Sequence, residues 1–68
     1  ANPFESLTNR EQEVLVLASQ GKSNRAIAKD LILTEATVKS HMAHVFSKLN
    51  VKNRTAAVAV ARERGIID

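Results

Sequence analysis

Between Lys39 and Lys48 the chain sets out most of the side chains that could do chemistry: Lys39, Ser40, His41, His44 and Lys48. His41 and His44 are three positions apart, a helical spacing that can bring two imidazoles to one metal ion. Ser40 and His44 are four apart, the spacing of a nucleophile and its base. Neither chemistry is complete. There is no cysteine and no convincing third ligand, so no metal and no other cofactor is expected. A hydrolytic reading lacks both an acid to orient the histidine and an oxyanion site, so no catalytic residue is expected and the chain does not read as an enzyme. What remains is recognition, with hydroxyls and cations offered to something that comes close.

These side chains need a helix to position them, and "TVKSHMAHVFSKL", residues 37–49, has the pattern. Val38, Met42, Val45, Phe46 and Leu49 recur at i, i+4, i+7, i+8 and i+11, which makes one apolar stripe. A solvent-facing helix would normally carry long charged residues on the opposite side. Here Ala36, Ser40, Ala43 and Ser47 stand there instead. Alanine is the best helix former and would suit a plain exposed helix, but serine is a poorer choice. The back of this helix is slim, and a slim back lets a partner approach.

The charge pattern suggests which partner. Residues 1–21 carry Arg10 against Glu5, Glu11 and Glu13, a balance of −2, whereas residues 22–54 carry Lys22, Arg25, Lys29, Lys39, Lys48, Lys52 and Arg54 against Asp30 and Glu35, a balance of +5. Residues 55–68 balance Arg62 and Arg64 with Glu63 and Asp68. A cationic middle third points to a polyanion. Sixty-eight residues make one small domain whose stability must come from helix packing, since no disulfide is available. The longest unbroken apolar run, Ala56 to Ala61, is far short of the roughly 20 residues that cross a bilayer, so a cytoplasmic chain with no membrane partner is expected.

An all-α domain of four helices is expected. "ANPFES", residues 1–6, reads as a linker remnant, with Phe4 placed to cover the core's edge and the domain itself running over 7–68. Thr8 with Glu11 is a capping box, Val14, Leu15, Leu17 and Ala18 follow at helical spacing, and Gly21 can close the helix in the left-handed conformation. This gives a first helix over about 9–20. Ser23 caps a short second helix over about 24–31, and Thr34 caps the third over about 35–49. Asn50 suits a left-handed C-terminal position, and Asn53 caps a fourth helix, over about 54–64, that ends near Gly65. Ile66 and Ile67 are expected to fold back onto the core.

Two helices joined by a three-residue turn, the second longer and flanked by cations, have the layout of a helix-turn-helix. Ala28 is the small residue where the backbones cross, and Ile27, Leu31, Leu33 and Val38 lock the angle. Ile32 stands in the turn where many such units have glycine, so a turn of different shape is expected. The major groove of B-DNA is roughly 12 Å wide, about the diameter of a helix with its side chains, so a helix that enters it needs a slim leading face. Residues 36, 40, 43 and 47 provide that face, with Lys39 on one flank and Thr37, His44 and Lys48 toward the other.

At this point the residues resemble a family. "LTNREQEVL", "GKSNRAIAKDL", "TVKSHMAHVFSKLNV" and "NRTAAVAVA" are together similar to the DNA-binding domain of LuxR-type transcriptional regulators, including response regulators of the NarL/FixJ class. The resemblance covers roughly residues 7–67. It implies a four-helix bacterial regulator domain that binds double-stranded DNA as a dimer, with Lys39, Ser40 and Ala43 facing base edges. Asn24, Thr34, Thr37 and Lys48 match positions near the phosphate backbone, to which His44 and Lys52 are added as groups that reach phosphate. The resemblance admits an upstream receiver or other sensory domain and RNA polymerase as further partners.

The fourth helix is apolar around most of its circumference. If Ala57, Val58 and Ala61 pack inward, then Ala56, Ala59 and Val60, with Glu63 beside them, face outward as a site for a partner helix. The resemblance also implies pairing there. A competing class is a helical protein-interaction module whose basic face meets an acidic protein. Preference for a specific duplex over a random one separates the two.

Overall fold

Each helix begins where a short polar side chain can take up an amide that the helix itself leaves without a partner. The computed structural model, which describes residues 6–68, has four: α1 (Asn9–Ser19), α2 (Asn24–Leu31), α3 (Glu35–Leu49) and α4 (Arg54–Glu63). Thr8 accepts the Glu11 amide while the Glu11 carboxylate accepts the Thr8 amide, which is the expected capping box. Ser23, Thr34 and Asn53 cap the other three through the amides of Ala26, Thr37 and Ala56. Gly21 and Asn50 take the left-handed conformation after α1 and α3. α1 and α4 each end one residue earlier than expected, because Gln20 and Arg64 serve as C-caps. Phe4, and the linker remnant apart from Ser6, lie outside the described residues.

The turn before α3 differs from the sequence reading. Ile32 adopts φ 57°, ψ 51°, the left-handed geometry that glycine would take, and the residue is 92% exposed. The turn therefore keeps a left-handed closing residue despite the missing glycine. The penalty of a branched Cβ in this region falls on Ile32 itself. The Leu33 amide closes the turn onto the Ala28 carbonyl at 2.8 Å.

The core has two lobes, and α3 runs through both. Val38 and Met42 from its first half meet Val14 and Ala18 of α1 and Ile27 and Ala28 of α2. Val45 and Leu49 from its second half meet Leu15 of α1, Ala57 and Ala61 of α4, and Ile67. Phe46 packs against both lobes. Burial of a single apolar side chain of this size stabilises by about 1.5–3 kcal/mol, so four buried positions on α3 fix its rotation about its own axis. Ile67 folds back as expected, and the Gln12 side-chain amide donates to the Ile66 carbonyl at 3.0 Å. No helix among the described residues is long and apolar enough to cross a membrane.

Candidate nucleic-acid interface

With Val38, Met42, Val45 and Leu49 all buried, the helical period leaves the opposite side of α3 in water. Ala36, Ser40, Ala43 and Ser47 are exposed, as are the flanking residues Lys39 and His44. The three residues expected to face base edges, Lys39, Ser40 and Ala43, thus share one accessible face. Lys39 forms no ion pair among the described residues, and neither does Lys52, exposed just beyond α3. Thr34 is exposed and Thr37 is half-buried. The Thr34 hydroxyl accepts the Thr37 amide at 3.1 Å and donates to the Thr37 hydroxyl at 2.9 Å, which ties both to the start of α3.

The other flank holds a charge cluster that sequence reading missed. Glu11, only 4% exposed, reaches from α1 to the Lys48 ammonium at 2.8 Å, and the ammonium also donates to the Ser6 carbonyl at 3.3 Å. His44 Nδ1 lies 3.7 Å from the other carboxylate oxygen of Glu11, with the His44 side chain 63% exposed. That separation is too long for a hydrogen bond, and the two groups attract as ions only when the imidazole is protonated. Burial alone would raise the Glu11 carboxyl. The Lys48 ammonium and the Thr8 amide and hydroxyl outweigh it and hold the carboxyl below its ordinary value of 4.5. Lys48, expected on phosphate, is therefore half-buried and turned to Glu11.

Asn24, also expected on phosphate, is half-buried. Its side-chain oxygen accepts from the Arg54 guanidinium, which donates in addition to the Lys22 carbonyl. One side chain at the start of α4 thereby fixes the start of α2. Lys22 pairs with Asp30 at 2.5 Å on the surface, where such a pair contributes little. No group of three His, Cys, Asp or Glu side chains could hold a metal among the described residues.

Comparison with known proteins gives this arrangement its kinship. The model of the family described as bacterial regulatory proteins, luxR family, matches residues 5–61. This chain belongs to the LuxR family. It is similar to the transcriptional regulatory protein LiaR of Bacillus subtilis (strain 168), 43% identical over 68 residues, all of this chain and 32% of LiaR. Among solved structures, the response regulator ChrA of a heme-sensing two-component system superposes with a TM-score of 0.90 at 49% identity, over 93% of this chain and 31% of ChrA. The transcription factor GerE superposes with a TM-score of 0.86 at 31% identity, over 94% of this chain and 97% of GerE. The chain thus spans about a third of the curated relatives it matches, and nearly the whole of GerE. It is a helix-turn-helix DNA-binding domain of the LuxR type, and the family is one of regulators rather than an enzyme class.

On α4 of this LuxR-type domain, Ala57 and Ala61 are buried as expected, Ala59 and Glu63 are exposed, and Ala56 is half-buried. Val60, expected to face outward, is half-buried and packs against the second lobe of the core, as does Val58. Outward exposure on α4 thus falls on Thr55, Ala59, Arg62 and Glu63. Two long-range contacts, Glu11 with Lys48 and Arg54 with Asn24, escaped the sequence reading because the partners lie 37 and 30 positions apart. The available signal was weak: a carboxylate in a capping box, and lysine placed beside an apolar stripe.

Proposed function

We propose that this LuxR-type domain binds double-stranded DNA by laying the slim face of α3 in the major groove, pairs with a second copy through α4, and forms the effector end of a longer transcriptional regulator. The observation that carries the reading is the exposure of Ala36, Ser40, Ala43 and Ser47 along a helix whose other side is buried on three neighbours. Lys39, Ser40 and Ala43 read base edges. A cation can take a guanine O6 and N7, a hydroxyl can take a donor or an acceptor, and an alanine methyl can meet a thymine methyl. Thr34, Thr37, His44 and Lys52 contact phosphate, where short polar groups fix register and cations supply the salt-dependent attraction.

Lys48 and Asn24 act one step back in this reading. Lys48 neutralises Glu11 beside the DNA face, and Asn24 holds Arg54. The relatives' length, and their names as response regulators and transcriptional regulators, support a receiver or other sensory domain elsewhere in the full protein. Selection of bound sites from a random duplex pool tests the whole proposal. It should return a short motif repeated at a centre-to-centre spacing of about one helical turn, roughly 34 Å, for a pair of domains on one face of the duplex. Recovery of no enriched motif would count against sequence reading by α3.

A further inference from the structure

The cluster on the flank of α3 has a charge balance that an arriving phosphate would upset. Glu11 brings one negative charge, which the Lys48 ammonium already matches at 2.8 Å. His44 faces the second oxygen of the same carboxylate from 3.7 Å, and its imidazole stands exposed on the side of α3 that the proposed function turns to DNA. From α3 itself, Lys48 one turn on and His41 one turn back are the titratable groups on its side. From α1, Glu11 is its counterpart, while Arg10 and Glu13 engage each other at 3.3 Å. The segment before α1 contributes the Ser6 carbonyl, which accepts from Lys48.

We propose that His44 is a proton-coupled phosphate site: the imidazole, held between the Glu11 carboxylate and a DNA phosphate, takes up a proton when the duplex binds. This deepens the DNA-binding reading and rests on it. Without DNA, an imidazolium at this position would be a second positive charge facing a carboxylate that Lys48 already neutralises. A phosphate arriving at Nε2 adds a second negative charge, and one proton on the ring then brings the four groups to balance. In the protonated form both ring nitrogens carry a hydrogen, so Nε2 donates to the phosphate oxygen while the charge at Nδ1 is attracted to the Glu11 carboxylate 3.7 Å away. Histidine is suited to this because its ordinary titration lies between pH 5 and 8. The depressed Glu11 carboxyl keeps its charge throughout that range. Phosphate affinity at this position therefore rises as pH falls.

The test uses this chain, a mixed-sequence duplex and low salt, because a phosphate contact is independent of sequence. Binding is measured across about pH 6 to pH 8, and calorimetry in buffers of different ionisation enthalpy counts protons taken up. Proton uptake on binding makes the duplex bind several-fold more tightly at the acid end, with a fraction of a proton absorbed per domain near neutrality. His44→Gln, at an exposed position that the fold does not need, should remove most of that dependence and the proton uptake, whereas His41→Gln should leave both in place. Equal pH profiles for the parent chain and His44→Gln, or no proton uptake by the parent, would overturn the inference while leaving duplex binding intact. Failure of the parent chain to bind any duplex at any of these pH values would instead overturn the DNA-binding reading beneath it.

Discussion

Single side chains divide the work at the face of α3. Lys39 is exposed and unpaired among the described residues, so Lys39→Ala should cost about 1–3 kcal/mol on a selected site and relax the choice of base there. Lys52→Ala should weaken selected and random duplexes alike and flatten the salt dependence, which binding measured against salt would register. Glu11 makes a prediction of another kind. Its folded carboxyl titrates below the unfolded one, so its contribution to stability is present in full above the ordinary carboxylate range and is lost as pH falls through 4.5 and below. Glu11→Gln should destabilise by about 1–3 kcal/mol near pH 7 and flatten the acid limb of the stability curve, as denaturant unfolding at several pH values would read. The contact between Glu11 and Lys48 was not legible from sequence spacing. The Glu11 carboxylate already had a local duty in its capping box, and nothing within reach along the chain announced Lys48 as its second partner.

At the scale of the elements, the local signals were faithful because their physics is local. Thr8, Ser23, Thr34 and Asn53 cap the helices they precede, since a short side-chain oxygen satisfies an amide two or three residues on whatever the tertiary fold. Asn50 follows α3 in the left-handed conformation that asparagine tolerates. Ile32 defeats the same reasoning. No propensity assigns a branched residue to that region, and it is held there because Leu33 must fold inward against the first lobe of the core while Leu31 ends α2. Ile32→Gly should therefore raise stability by about 0.5–1.5 kcal/mol, the left-handed penalty less the entropy that glycine adds to the unfolded chain, whereas Ile32→Ala should not. Thermal or denaturant unfolding of the two variants decides it. The outward side of α4 was only half legible. A run of six alanines and valines has no polar residue to mark its phase, so Val60 could be placed outside when it belongs partly to the core.

The whole molecule measures 30 × 23 × 20 Å, and the fifteen residues of α3, at about 1.5 Å each, run through most of it. Both lobes of the core converge on that helix, so its angle and rotation are set by its packing on the other three helices. This much the sequence did reveal, because a stripe at i, i+4, i+7 and i+11 opposite small residues has one helical solution. Pairing belongs to this scale too. Ala59→Asp, on the exposed side of α4, should leave folding intact and single half-site binding near the parent value while weakening cooperative binding to a two-half-site duplex several-fold. Equal loss on both duplexes would remove α4 from the pairing surface. The central claim is that the face of α3 carrying Ser40 and Ala43 is the one that meets DNA. Titrating the isotope-labelled chain with a selected duplex and following backbone amide shifts tests it most directly: the largest changes should fall on residues 34–48 along that face, and changes confined to α1 or α4 with Lys39, Ser40 and Ala43 unmoved would contradict it.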